Sequence, residues 1–439
     1  MINRNSQNPL YLQLYDYFKT AILNNTLKAY TKLPSIRELQ QKQKLSKTTI
    51  EKAYNQLQIE GFIQSQPKSG HYVLPIKNKP NRKTDIEDLS VQEPSYLNIA
   101  QPVTTFNLEE LKKALQHVIH YQGERLYHPP KPSGENTLKE AIIKHLRNER
   151  GVKGSSHQII IDSGIQNHLK TIGNILEKRR VGYLIPLFHH AKRIFNLLNF
   201  TLIPFETLDE MVKDDLDFIY ISPSNLYPSG NVVPFNERLR LIDYAKKHNA
   251  YIIEDDYNYI YRHNAYQIPS IQSLSNGFHV IYIGSFTRQI LPSLRLSYMV
   301  LPPTLLKAYH ALEPLTQNVS VLDQLTIAQF IHSGSYQKHL RKLSSFSKKQ
   351  NEMMRKILSL HTNQAITYSG LDSNLHVLFS AQNITILKLL CTLFTKQGWS
   401  YRRLDELPNT VLLPYHGFLE NDFNILNDIL KKIASYSHE

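Results

Sequence analysis

The chain has 439 residues, 51 Lys+Arg against 37 Asp+Glu, and a formal net charge of +14. That length allows roughly two or three domains with cores of their own, and 41% hydrophobic with 20% charged residues excludes a globally disordered chain. A single cysteine, Cys391, excludes an intramolecular disulfide framework. No apolar run reaches the roughly 18 residues of a membrane span, so a soluble, cytoplasmic protein with an anionic partner is expected.

In chain order, Leu14, Tyr15, Phe18 and Ile22 mark one face of a helix over residues 9–24. Ser35 with Glu38 three residues on is a capping-box spacing and predicts a second helix from Ser35. A third helix is predicted after Ser46, with Ile50, Ala53, Tyr54 and Leu57 on its core face. FIQSQ and HYVLP then read as two strands joined by a turn with Lys68 and Gly70 at its tip. Three helices and a basic hairpin make a winged helix-turn-helix over residues 1–75.

Those 75 residues carry ten basic and four acidic side chains, a surplus of six. The candidate contacts to double-stranded operator DNA are Lys32, Ser35, Arg37, Ser46, Lys47, Thr48, Thr49, Lys52, Lys68 and Gly70. The third helix would enter the major groove by its N-terminal turn, and the amides opening the second would face a phosphate. A bland alternative is a small helical domain with solvated lysines. It does not account for basic residues gathered at helix starts and the wing tip. Residues 76–97 read as a linker, polar and charged over 76–90. The remaining surplus of seven is expected to be spread thinly beyond residue 90.

From residue 98 to 439, apolar runs alternate with longer helices: 158–162, 182–186, 217–222, 250–256 and 279–285, with a helix over 235–249. This pattern predicts a mainly parallel sheet covered by helices, with chemistry at the carboxyl ends of its strands. Just beyond those ends stand Gly164 and Gln166, Phe188, the loop 223–230, Asp255 to Tyr257, and Ser285, Thr287, Arg288 and Arg295.

Two resemblances follow from these strings. LPSIREL, LSKTTIEKAYNQLQIEGFI and the KSG hairpin resemble the DNA-binding domain of the GntR regulators. IIEDDYNYIYRH, IYIGSFTRQILPSLRLSYMVLPP and GSYQKHLRKL extend the resemblance over nearly the whole chain to the MocR-type GntR regulators. These fuse a winged helix to a fold-type I aminotransferase-like domain, so the fold class expected is α/β. The resemblance implies a pyridoxal phosphate site. Gly164, Gln166, Ser285, Thr287 and Arg295 would hold phosphate, Phe188 would stack on the ring, Asp255 would pair with the ring nitrogen, and Tyr257 would bond the 3′-oxygen. It also implies a homodimer and a small-molecule effector, with no metal.

The chain departs from that pattern twice. Arg288 stands at the Schiff-base lysine position, and no lysine occurs between Lys247 and Lys307. A guanidinium stays protonated and forms no internal imine, so any cofactor is held noncovalently and catalysis is not expected. Pro408 stands where related regulators have an Arg for the substrate carboxylate, with Arg402 and Arg403 nearby. Two rivals remain: an aminotransferase with an accessory DNA-binding domain, and an effector-blind architectural DNA binder.

Overall fold

A computed structural model describes residues 8–67, 69–75, 106–261, 268–312, 319–361, 365–404 and 407–436. The chain divides into two compact units, Met1–Glu93 and Pro94–Glu439. Lys68 and the segment read as a linker lie outside the described residues.

In the first unit, α1 (Leu10–Leu23), α2 (Ile36–Gln43) and α3 (Lys47–Ile59) precede β1 (Ile63–Gln66) and β2 (Gly70–Val73). The helix starts follow the sequence signals. Ser35 and Glu38 form a reciprocal capping box on α2, and the Ser46 hydroxyl accepts from the Thr49 amide to cap α3. Leu14, Phe18 and Ile22 of α1 meet Ile50, Ala53, Tyr54 and Leu57 of α3 in one apolar cluster. β1 and β2 pair antiparallel from Ile63 opposite Val73 to Gln66 opposite Gly70.

The second unit is built on a seven-stranded sheet of order β3-β9-β8-β7-β6-β4-β5. Its strands are β3 (Ile159–Ser163), β4 (Arg180–Leu184), β5 (Thr201–Phe205), β6 (Phe218–Ile221), β7 (Tyr251–Asp255), β8 (Val280–Ser285) and β9 (Leu296–Val300). All neighbours run parallel except β9, which is antiparallel to both β3 and β8. Alternate residues serve opposite faces: Ile159 and Ile161 join one core with helix Asn136–Arg150, and Ile160 joins another with helix Ile165–Ile175. A second, four-stranded antiparallel sheet follows, ordered β10 (Ile366–Ser369), β11 (His376–Ala381), β13 (Thr410–Pro414) and β12 (Arg402–Arg403). It packs with helices Ile384–Lys396 and Glu420–Tyr436 around its own core.

The surplus charge of this unit is not spread thinly. The single helix Ser335–Ser359 holds seven basic residues and one acidic one. No helix among the described residues is long and apolar enough to cross a membrane.

Candidate functional site

On the first unit, the start of α3 is the focus of the candidate DNA contacts. Ser46, Lys47, Thr48 and Lys52 are exposed and Thr49 is half-buried. Several of these groups are already engaged. Lys47 lies 3.6 Å from Glu51 one turn on, and the Thr48 and Thr49 hydroxyls lie 3.0 and 2.7 Å from the Ser46 hydroxyl. Lys52 sits 5.9 Å from the centre of the Tyr11 ring. Lys32 bridges to Tyr72, and its side chain runs alongside Gly70, so these two candidates share one edge of the hairpin. Ser35 and Arg37 are exposed at the start of α2.

In the second unit, sheet register gathers the residues read as a phosphate cup. Ser163 at the end of β3 pairs with Leu296, and Ser285 at the end of β8 pairs with Ser297. Gly164, Ser285 and Arg295 therefore reach one edge of the sheet from three strands. Gly164 caps helix Ile165–Ile175 with φ +80°, a left-handed backbone that a side chain disfavours. A Cβ there would lie 2.8 Å from both Arg295 Nη2 and Gln166 Oε1, and that guanidinium donates to that amide oxygen at 3.2 Å. The glycine thus leaves open a cradle beside amides at a helix start and a guanidinium, a donor set that suits phosphate. The Ser285 hydroxyl accepts from the Thr287 amide at 3.1 Å.

Asp255 ends β7, buried, and accepts from the Tyr220 hydroxyl at 2.5 Å. Burial pushes its carboxyl up to about 7, the Tyr220 hydroxyl and the Arg288 charge working against that rise. A buried carboxyl of this kind suits a cationic ring nitrogen.

A small cavity of about 20 Å³ is lined by Phe188, Tyr227, Tyr257, Arg288, His376, Arg402 and His416, with Leu375, Leu412 and Pro414. Phe188 and Tyr257 are near-parallel with centroids 6.4 Å apart, and the Arg288 guanidinium carbon lies 5.3 Å from the Tyr257 ring centre. Arg288 therefore packs its cation on an aromatic face. The candidate residues thus form two groups: a cradle of Gly164, Gln166 and Arg295, and an aromatic pocket of Phe188, Tyr257 and Arg288.

Sequence reasoning missed the partners that fix these loops. Arg150 pairs with Asp256 at 2.6 Å, both essentially inaccessible, and also donates to the Ser224 hydroxyl at 2.8 Å. Tyr282 donates to the same Asp256 oxygen at 2.8 Å. The loop 223–230 is held to the second sheet by Asn225 donating to Ser373 O and His376 donating to Pro228 O. At Gly230 a Cβ would fall 2.0 Å from the Ser373 amide nitrogen, so the two backbone segments touch there. Asn258, directly after Tyr257, is buried, and neither of its amide atoms has a hydrogen-bond partner among the described residues.

The structure also separates the two neighbouring arginines. Residues alternate faces along β12: Arg402 lines the aromatic pocket, and Arg403 faces a different groove beside Cys391 and Tyr401. Burial lowers the Arg402 pKa, with the Tyr227 hydroxyl opposing and the Arg288 charge adding to the effect. Pro408 lies in the turn before β13 and is not among the residues lining the pocket.

Residues 10–73 match the family of bacterial regulatory proteins of the gntR type, and residues 84–385 match aminotransferase class I and II. The chain is 31% identical over 394 residues to the uncharacterized HTH-type transcriptional regulator YdeL of Bacillus subtilis, covering 86% of this chain and 85% of that one. It is 27% identical over 418 residues to the probable rhizopine catabolism regulatory protein MocR of Rhizobium meliloti, covering 86% and 83%. Among solved structures, the kynurenine aminotransferase of Pyrococcus horikoshii superposes with a TM-score of 0.65 at 20% identity, over 75% of this chain and 88% of that one. A winged helix-turn-helix fused to an aminotransferase fold, matched along most of the chain, places this protein in the MocR-type branch of the GntR transcriptional regulators.

Proposed function

We propose that this regulator binds operator DNA as a cytoplasmic homodimer and is modulated by pyridoxal phosphate or a related amino compound held noncovalently, without catalysis. In this reading residues 1–75 bind DNA, 76–97 link, and 98–439 sense and dimerise. Lys47, Thr48 and Thr49 would meet the major groove, and Ser35, Arg37, Ser46 and Lys52 the flanking phosphates. Lys32, Lys68 and Gly70 would act at the wing.

One observation carries the non-catalytic reading. Gly164 leaves a cradle beside Arg295 and the Asp255 carboxyl is buried, but the side chain that the resemblance puts at the lysine position is Arg288, packed on Tyr257. Pyridoxal phosphate supplies an electron sink to enzymes of this fold class. Here Gly164, Gln166, Ser285, Thr287 and Arg295 would hold its phosphate, Phe188 and Tyr257 would fix the ring and its 3′-oxygen, and Asp255 would hold the ring-nitrogen proton. The donor set suits the ring and phosphate chemically and offers no amine for a covalent bond. Control of vitamin B6 or amine metabolism is the regulatory output proposed by family resemblance.

The test is a mobility shift on the DNA upstream of the protein's own gene, with and without pyridoxal phosphate. A sequence-specific complex whose affinity changes with the cofactor is expected. Absence of a specific complex at moderate salt defeats the regulator reading, and a complex indifferent to every amino-compound effector tried defeats the sensor part. Sedimentation of a species twice the 51.0 kDa chain mass checks the dimer.

A further inference from the structure

The helix Ser335–Ser359 buries Tyr336, His339, Leu340, Leu343, Ser347, Gln350, Asn351, Met354 and Leu358. Its opposite side carries Lys338, Arg341, Lys342, Lys348, Lys349, Arg355 and Lys356, all exposed, with Glu352 the one acid on the helix. At 100° per residue these seven cations fall within an arc of about 140°. At about 1.5 Å per residue they run for roughly 27 Å.

The stripe holds six of the seven surplus charges found beyond residue 90, so the rest of that long segment is close to neutral. Glu352 lies inside the same arc, one turn from Lys348, Lys349 and Lys356, and is the only acid on the helix to offset them. Among the described residues, Arg355 pairs with Asp372 at 2.6 Å, while Lys338, Arg341, Lys342, Lys348, Lys349 and Lys356 have no carboxylate within 4 Å. The stripe begins at a polar notch of about 170 Å³ lined by Asn107, Glu110, Ser335, His339, Lys338 and Lys342, with Phe106 and Phe330. The acid in that notch, Glu110, is bound by Lys113 at 2.9 Å and by the Ser335 hydroxyl.

Isolated charge runs are commonly only solvated faces. Six cations with no ion pair among the described residues, on one face of one helix in an otherwise near-neutral domain, are a line of charge instead. Duplex DNA offers a matching line, about one negative charge per 1.7 Å of axis. We propose that this face of the aminotransferase-like domain is a second DNA-binding surface, which grips the phosphate backbone of duplex DNA without reading its sequence. The inference rests on the DNA-binding reading above and extends it to a domain to which that reading gives sensing and dimerisation.

The test uses the full-length protein and a 60-base-pair duplex of random sequence, measuring affinity as a function of salt. Each lost phosphate contact lowers the slope of log K against log salt by about 0.9. The variant Lys338→Gln, Lys342→Gln, Lys348→Gln, Lys349→Gln should therefore lose about 3 to 4 from that slope. A control removing the same charge from exposed sites elsewhere, Lys170→Gln, Lys213→Gln, Lys246→Gln, Lys388→Gln, should lose less than about 1. Glu352→Lys, which keeps a good helix former in place, should raise the slope by about 1.

Equal losses in the stripe variant and the control would overturn the proposal in favour of a general net-charge effect. An unchanged slope in the stripe variant, with wild-type binding intact, would overturn it and leave the winged-helix reading standing. No duplex binding by the wild type at 50 mM salt would overturn both.

Discussion

In the proposed reading, Arg288 redirects the site without altering its charge. Lysine and arginine are both cations, yet only an amine can lose its proton, attack a carbonyl and be regenerated. With its guanidinium on the face of Tyr257, Arg288 is an aromatic-packed cation rather than a nucleophile. The variant Arg288→Lys is the direct probe. If the surrounding groups are a working cofactor site, the variant mixed with pyridoxal phosphate develops a visible absorbance band and gains a covalent adduct by mass after borohydride, while the wild type does neither. The identity of this residue was legible in the sequence, because it sits in a short string at a strand end. Arg402 was not: two adjacent arginines are equivalent until strand alternation sends one into the pocket and the other away from it.

At the scale of elements, local signals define the helices of the first unit. Helical periodicity and Ser caps located α1 to α3, because both depend on residues within a turn or two of each other. Strand β5 escaped notice since Pro204 interrupts it, and the structure places β5 at the sheet edge, where a missing amide donor is tolerated. Strand β9 also escaped, its short apolar run carrying no sign that it pairs antiparallel with strands far apart in sequence. The segment from Asp255 at the end of β7 to Tyr257 depends on a partner more than a hundred residues away, since Arg150 reaches from the end of helix Asn136–Arg150 to Asp256. Removing one member of a buried ion pair strands the other, at a cost of about 3–5 kcal/mol. Arg150→Ala should therefore lower unfolding stability by about that much in urea titration. Arg37→Ala, on an exposed side chain, should change it by less than about 0.5 kcal/mol.

For the whole molecule, burial of titratable groups sets a pH dependence with two opposing parts. His145, bonded to the Tyr259 hydroxyl at 2.7 Å, and His376 are both pushed down to about 4 by burial. Their folded pKa lies below the ordinary value of 6.5, so the stability they contribute is present above 6.5 and is lost as pH falls towards 4. Asp255 is pushed the other way, up to about 7, and Glu254 is likewise raised by burial. The stability associated with Asp255 is present below its ordinary 3.8 and is lost as pH rises through 7. The two trends offset one another between pH 4 and 7. Removing one member should tilt the balance: relative to the wild type, His145→Gln should gain stability as pH falls from 6.5 to 4. Urea midpoints taken across that range check the sign.

The sequence by itself determined the elements with local signatures, the identity of the residues at the strand ends, and the amount of charge in each segment. These are properties of neighbours along the chain, fixed by helix and strand periodicity and by covalent order. Tertiary structure decided which of those residues meet. It brought Gly164 and Arg295 together through the pairing of β3 with β9, locked Asp256 to Arg150, and turned Arg402 into the pocket. It also converted an even-looking surplus of charge into one exposed stripe, because burial of the apolar side of helix Ser335–Ser359 leaves its cations the opposite face.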